Sequence, residues 1–175
     1  MSSPLKFQFD LKNLEADLKK IDKIFNISKV LNKNAISSTF ITEYYAKSYW
    51  GYKLFHSLDD SIHMALNKDG NYSKSGFNVQ AEEINEQIQR GAIKDALELG
   101  CGRGFNLRYL ATRNPNIQFT GVDLTPVHAK IASENNASLK NVQVINMSFD
   151  DIDTLNKKYD VIYEIESVCH SPDMA

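Results

Sequence analysis

The segment Leu97–Gly104, which reads Leu-Glu-Leu-Gly-Cys-Gly-Arg-Gly, has the pattern of a loop that binds a small ligand. Three alternating glycines follow an apolar run, and a helical pattern begins directly after them at Phe105. This order predicts a strand, a tight loop and a helix. Glycines let the backbone of such a loop approach a small ligand closely, because no Cβ intervenes. We therefore predict a ligand-binding loop, with a plain glycine-rich turn as the alternative.

The spacing of the glycines distinguishes this loop from two known kinds of nucleotide-binding loop. A dinucleotide-binding loop has its third glycine where this chain has Phe105. The Lys-Ser/Thr ending of a triphosphate-binding loop is also missing. The loop therefore gives no sign of a phosphate clamp, and a nicotinamide oxidoreductase is the disfavoured alternative.

A carboxylate follows the next predicted strand. The run Ile117–Val122 alternates as a buried strand does, and Asp123 comes directly after it. In a doubly wound sheet, an acid about 20 residues after the glycine loop can accept both hydroxyls of a ribose. Asp123 is our predicted ribose ligand. A helix cap is the alternative role, but Thr125 followed by Pro126 already predicts the cap and first turn of the next helix.

With Glu98 in front, the pattern Glu98-x-Gly100-x-Gly102-x-Gly104 resembles the first motif of class I S-adenosylmethionine-dependent methyltransferases. The resemblance implies S-adenosylmethionine as the cofactor. It implies that the loop amides face the methionyl carboxylate, while Glu98 binds the ammonium group directly or through water.

The same resemblance implies where the adenine lies. Leu124 would pack against the ring, and the backbone amide of Phe149 would face it. Members of the family usually carry an acid at the position of Ser148, whose hydroxyl accepts a hydrogen bond more weakly than a carboxylate does. The predicted cofactor-binding residues are Glu98, Gly100, Cys101, Gly102, Gly104, Asp123, Leu124, Ser148, Phe149 and Tyr45.

The stretch after the fourth predicted strand, Ile165–Pro172, is similar to the sterol C-24 methyltransferase pattern I-E-A-T-C-H-A-P and to tocopherol-type small-molecule methyltransferases. Upstream, the pair Tyr44-Tyr45 and the stretch Tyr49–His56 resemble elements of the same group. The resemblance implies a small acceptor, lipid-like or isoprenoid in character. The positions that agree with the sterol pattern are Ile165, Glu166, Cys169, His170 and Pro172.

Glu166 and His170 are the predicted catalytic residues. A sulfonium methyl group is a strong electrophile, so the protein mainly holds a nucleophile in line and excludes water. For an alkene acceptor, a buried Glu166 would stabilise the carbocation, and His170 would act as base or relay or orient Glu166. For a phenol or amine, the same pair would take its proton. The alternatives are a helix-capping glutamate and a structural histidine.

Composition predicts a cytoplasmic protein that does not bind nucleic acid. The chain has 175 residues, a formal net charge of -2 and 42% hydrophobic residues, enough for one core. This charge does not indicate a nucleic-acid surface, and it leaves the oligomeric state open. No spacing of cysteines and histidines matches a metal site, and Cys101 and Cys169 are predicted to be small buried residues. No signal peptide or membrane span is expected.

The amino-terminal half predicts a helical cap over residues 1–90. Apolar positions from Leu11 to Phe25 recur at helical spacing with lysines between them. This amphipathic helix is predicted to be a lid or packing helix, although such helices can also contact a membrane surface. Residues Ala35–Leu66 are predicted helical, with Trp50, Tyr45 and Phe55 either in the core or against substrate.

Residues 91–175 are predicted to form an α/β, Rossmann-like core with strand order 3-2-1-4. The resemblance implies a seven-stranded sheet in order 3-2-1-4-5-7-6, whereas this chain stops just after its fourth predicted strand, near Ala175. The fourth strand would then be an unpaired edge. We therefore expect the amino-terminal part of a longer enzyme. The alternative is a truncated, cofactor-binding but catalytically impaired regulatory module.

Overall fold

The structure is a computed structural model that describes residues 11–25, 37–67 and 69–171. Contacts divide the chain into two compact units, Met1–Phe40 and Ile41–Ala175. The second unit contains the sheet and every predicted site residue that is described. Pro172, part of the predicted sterol-like pattern, lies outside the described residues. The sequence predicts a helical cap over residues 1–90 and a cofactor-binding core over residues 91–175, and this division stays a prediction.

A four-stranded parallel sheet forms the centre of the second unit. Its order is β3-β2-β1-β4, which confirms the predicted half-sheet. Leu99 of β1 pairs with Val122 of β2 and with Glu164 of β4, so these strands end at one edge. The strands are β1 Asp95–Leu99, β2 Gln118–Asp123, β3 Val142–Asn146 and β4 Val161–Glu164.

Helices flank the sheet and precede it. The α-helices are α1 Leu11–Phe25, α2 Ser38–Lys47, α3 Tyr49–Gly51, α4 Val79–Gln89, α5 Phe105–Arg113 and α6 Pro126–Asn135. A π-helical turn, Tyr52–His56, continues α3, and 3-10 turns span Lys74–Asn78, Phe149–Leu155 and Val168–His170.

The core lies between the central strands and the helices that follow them. Phe119 of β2, together with Leu107 and Leu110 of α5, is at most 1% exposed. Ile88 of α4 packs into the same cluster. Each fully buried side chain of this size contributes about 1.5–3 kcal/mol relative to an exposed one. These contacts hold α5, and therefore the glycine loop before it, against the sheet.

The first unit contains the predicted amphipathic helix, α1. Leu14, Leu18 and Ile21 recur at helical spacing and are 37%, 46% and 44% exposed. None of the helices in residues 11–25, 37–67 and 69–171 is long and apolar enough to cross a membrane.

The predicted helix over Ala35–Leu66 is wrong in its last part, because the chain is irregular from Ser57 to Asn67. His63 is 6% exposed and donates through Nε2 to Phe77 O at 2.7 Å. Ser61 Oγ lies 3.2 Å from His63 Nδ1. His63 O accepts from Ser61 Oγ at 3.3 Å and from His56 Nε2 at 3.0 Å, so side chains satisfy a backbone carbonyl of this segment in place of a helical hydrogen bond.

Two of the aromatic residues that the sequence places either in the core or against substrate lie at the surface. Trp50 is 67% exposed and Phe55 is 89% exposed. Neither belongs to the core, because α3 and the π-helical turn direct these side chains to the surface.

Replacing His63 with Ala should destabilise the second unit. The change removes a buried ring and leaves Phe77 O without its donor, a loss of about 2–4 kcal/mol in the free energy of unfolding. Urea denaturation measures this loss. Trp50→Ala is the control, and we expect it to cost under about 1 kcal/mol because the side chain is exposed. Equal midpoints for the two variants would contradict this role of His63.

Candidate functional site

The glycine loop connects β1 to α5 in a conformation that glycine alone adopts readily. Gly100 and Gly102 have φ of 66° and 54°, and Gly104 is also left-handed at 78°. A Cβ on Gly102 would lie 2.9 Å from Ile62 Cδ1, and one on Gly100 would collide with Ser167. The loop is thus packed closely by residues from distant parts of the chain, and the predicted order of strand, tight loop and helix is confirmed.

Asp123, at the end of β2, is bonded to the glycine loop. Gly102 N donates to one carboxylate oxygen at 2.9 Å, and Thr125 N donates to the other at 2.8 Å. His128 Nδ1 lies 3.6 Å from the second oxygen. Each carboxylate oxygen has about two acceptor positions, so both oxygens can still accept a hydroxyl. The predicted ribose role of Asp123 is therefore chemically open.

Thr125 is the N-cap residue of α6 and Pro126 is its first residue, which confirms the predicted start of this helix. The Thr125 side chain itself forms no capping hydrogen bond. Asp123 instead accepts the Thr125 amide, so the same carboxylate stabilises this turn and the glycine loop. From the sequence, Asp123 is either a ribose ligand or a helix cap. In the structure its carboxylate accepts the Thr125 amide at the start of α6, as a capping residue would.

Glu98 is buried within β1 behind the loop, at 1% exposure. Asn106 Nδ2 donates to one carboxyl oxygen at 3.1 Å, and Tyr163 OH donates to the other at 3.3 Å. Burial raises the pKa of Glu98 to about 8. A cation beside this carboxyl would favour its ionised form. Sequence reasoning missed Asn106 and Tyr163, because their approach to Glu98 depends on how α5 and β4 pack.

The ends of β2 and β3 are joined by one side chain. Asn146 Nδ2 donates to Asp123 O at 2.8 Å and to Leu124 O at 3.0 Å. Leu124 is partly exposed at this edge of the sheet. Its predicted contact with adenine stays a prediction, and Asn146 holds the backbone that would present it.

Ser148 caps the 3-10 turn Phe149–Leu155. Its Oγ accepts from Asp150 N at 3.2 Å and lies at the same distance from a carboxylate oxygen of Asp150. Phe149 begins this turn and is partly buried. The hydroxyl of Ser148 therefore already has a local structural role, while its predicted adenine contact stays a prediction.

Tyr45 and His170 meet although they are far apart in sequence. Tyr45 OH lies 2.9 Å from His170 Nε2, and the two rings are perpendicular at 5.7 Å between centroids. The Tyr45 ring also contacts His128 at 5.2 Å. Burial raises the pKa of Tyr45 to about 12, and nearby Tyr44 adds to the effect. The phenol therefore keeps its proton at neutral pH, and its oxygen donates to Nε2 or accepts from Nε2–H according to the histidine tautomer.

Glu166 differs from its prediction in two ways. The carboxylate is exposed and not buried, and it accepts from Met64 N at 3.1 Å and Gln80 Nε2 at 2.9 Å. His170 bonds to Tyr45, so the expected orientation of Glu166 by His170 is wrong. The reason is backbone geometry, because Glu166 has φ of 56° and a 3-10 turn, not a helical turn, leads to His170.

The strand-end acid that caps the following turn is Glu164. Its carboxylate accepts from Ser167 N at 2.8 Å and from Val168 N at 3.2 Å. This is the role that the sequence offered as the alternative for Glu166. The two acids are separated by Ile165, so local pattern alone does not distinguish them.

The two cysteines lie in different environments and are both free. Cys101, in the loop, is 4% exposed, and burial raises its pKa well above the usual value. Cys169 is exposed, so the prediction that it fills a buried position is wrong. Within the described parts of the chain, no group of His, Cys, Asp and Glu could hold a metal ion.

Replacing Glu98 with Gln should change how stability depends on pH. The pKa of Glu98 rises on folding to about 8. The folded state therefore binds more protons than the unfolded state, and the stabilisation is lost as pH rises from about 4.5 to 8. E98Q should show a shallower loss of Tm over this window. Calorimetry at several pH values measures this, with Glu86→Gln on the exposed face of α4 as control. Parallel curves for wild type and E98Q would refute it.

Comparison with known proteins covers the loop and the sheet. Residues 96–175 match the family model described as a methyltransferase domain. The chain is 36% identical over 81 residues to the O-methyltransferase imqG of Aspergillus flavus, covering 45% of this chain and 33% of that protein. It is 25% identical over 139 residues to the chloroplastic tocopherol O-methyltransferase of Arabidopsis thaliana, covering 72% and 38%.

A solved structure shares the fold. Coclaurine N-methyltransferase bound to N-methylheliamine and SAH matches with a TM-score of 0.52 and 21% identity. The match covers 62% of this chain and 32% of that one. The chain thus spans between 33% and 38% of the length of the two curated relatives named above.

Proposed function

We propose that the protein is a class I methyltransferase that binds S-adenosylmethionine and transfers its methyl group to a small acceptor. The match of residues 96–175 to a methyltransferase-domain model and the parallel sheet order support this proposal. The observation that carries the proposal is the bond from Gly102 N to Asp123 at 2.9 Å. It places a carboxylate with spare acceptor positions beside a backbone loop, at the sheet edge where doubly wound folds bind ligands.

The residues at this edge suit the parts of the cofactor. Asp123 would accept ribose hydroxyls, and Leu124 would contact the adenine face. Ser148 and the Phe149 amide would complete the adenine site. The loop from Gly100 to Gly104, with Cys101, would follow the methionyl part, and buried Glu98 would receive its ammonium group. The bound cofactor would supply an electrophilic methyl group.

The acceptor would approach from the side of Tyr45, His170 and Glu166. His170 would take a proton from the acceptor at Nδ1, in the tautomer whose Nε2–H donates to the Tyr45 hydroxyl oxygen 2.9 Å away and so orients the ring. Glu166, held by Met64 N and Gln80, would offer a fixed negative charge. The similarity to a tocopherol O-methyltransferase supports a small, lipid-like or isoprenoid acceptor.

We also propose that the enzyme acts in the cytoplasm and contacts a membrane surface. Two free cysteines are in keeping with a reducing compartment such as the cytoplasm. The exposed apolar side chains Leu14, Leu18 and Ile21 of α1 support contact with a membrane surface, from which a lipid-like acceptor could be taken.

Asp123→Ala tests the cofactor site. Loss of the carboxylate removes the proposed ribose acceptor and frees Gly102 N, so affinity for S-adenosylhomocysteine should fall about 10–100-fold. Titration calorimetry on folded protein measures this. The control is Asp151→Ala, which removes an exposed carboxylate in the turn after β3 and should bind as wild type does. Absence of saturable binding to the wild-type chain would contradict the proposal, as would unchanged affinity in D123A.

His170→Gln tests the acceptor side. Without the imidazole, methyl transfer should slow by about 10²–10⁴-fold, while affinity for S-adenosylhomocysteine stays near the wild-type value. The measurement is transfer of a labelled methyl group to components of a lipid extract. Cys169→Ser, at the exposed neighbouring position, should transfer at the wild-type rate. A wild-type chain that binds cofactor but labels no product would favour the regulatory alternative.

A further inference from the structure

Arg103 lies in the middle of the glycine loop, yet its side chain is buried under residues that precede the sheet. It is 1% exposed. Its guanidinium lies 4.6 Å from the centre of the Tyr49 ring, and Nη2 donates to Tyr49 O at 3.4 Å. Nη1 lies 3.5 Å from a carboxylate oxygen of Asp60. An arginine of the loop is therefore enclosed by the segment 49–62.

Asp60 connects this segment to two further elements. Its second carboxylate oxygen accepts from Lys53 Nζ at 2.9 Å and from Asn135 Nδ2 at 3.3 Å. Asn135, at the end of α6, also donates to Arg103 O at 3.1 Å. Asp60 has φ of 68°, a left-handed conformation that costs free energy in a residue other than glycine. The backbone is therefore strained at Asp60, the residue whose carboxylate contacts the loop arginine.

The ion pair is buried but incompletely hydrogen-bonded. Within the described parts of the chain, Asp60 Oδ1, Arg103 Nε and Arg103 Nη1 have no hydrogen-bond partner. Burying such charges costs about as much as their attraction returns, so a pair of this kind adds little net stability. If the segment moved away, both charges would regain water and offset the lost attraction. The pair therefore favours one position of the segment 49–62 over the glycine loop, and the segment can still move away from it at little cost in free energy.

The enclosed arrangement covers the loop itself. Ile62, two residues after Asp60, comes within 2.9 Å of the position that a Cβ on Gly102 would take. Gly102 is also the residue whose amide binds Asp123. Whatever opens the segment 49–62 therefore uncovers the loop beside the proposed cofactor carboxylate.

We propose that Asp60 and Arg103, with Lys53 and Tyr49, form a latch that closes the segment 49–62 over the glycine loop and so controls cofactor entry and release. This inference rests on the proposed function for its consequence, but the latch itself exists without ligand. Asp60 and Arg103 are positioning residues that hold the cover in place.

The test compares Asp60→Asn, Arg103→Met and the double variant with wild type. Asn tolerates a left-handed φ as Asp does, so D60N removes the charge and spares the backbone. Asp60→Gly, which relaxes that φ, replaces D60N if circular dichroism shows that D60N does not fold. Asp59→Asn is the matched control, because it changes the exposed neighbouring carboxylate. Hydrogen exchange of the unliganded proteins and stopped-flow release of S-adenosylhomocysteine are measured.

We expect D60N and R103M each to raise amide exchange in residues 49–62 and to speed release of S-adenosylhomocysteine by about tenfold. The double variant should be no faster than R103M, because the two residues act as one pair. D59N should match wild type. Wild-type exchange rates in D60N, or additive effects in the double variant, would overturn the latch. If wild type binds no S-adenosylhomocysteine, the proposed function fails, and the exchange data alone decide the latch.

Discussion

The contact on which the site depends is the carboxylate of Asp123 between two backbone amides. One oxygen binds Gly102 N and the other binds Thr125 N. These bonds join the loop after β1 to the start of the helix after β2. A carboxylate accepting amide hydrogen bonds forms stronger contacts than a neutral acceptor would, which suits a loop in which every second residue is a glycine. The adjacent ends of β1 and β2 are held together at the point where a ligand would bind.

Residues from distant segments complete this edge of the sheet. Ser167, after β4, donates through Oγ to Leu99 O at 2.6 Å and packs against Gly100. Tyr45, from α2, reaches His170. The carboxyl edge is therefore built from the loop, from the turn after β4 and from the region before the sheet. A buried carboxyl, Glu98, and a buried guanidinium, Arg103, lie directly beside it.

Much of the fold follows from local pattern. The strand β2 Gln118–Asp123 lies within one residue of the predicted run Ile117–Val122, and α5 begins at Phe105, where the helical pattern begins. The alternation of apolar and polar residues, and the glycine-rich turns between elements, encode these limits within a few residues. The same signals failed from Ser57 to Leu66, where the sequence predicts a helix and the chain is irregular. There, buried hydrogen bonds of Ser61 and His63 override the pattern.

The candidate site divides in the same way. Local sequence is enough to place the glycine loop and the carboxylate of Asp123 after the second strand, because spacing along the chain encodes both, whereas the strand order came from the resemblance to class I methyltransferases. Three-dimensional packing, in contrast, exposes Glu166, pairs His170 with Tyr45 and covers Arg103 with Asp60. Each of these depends on side chains brought together from separate elements. Their meeting is set by helix and strand packing, which no local periodicity records.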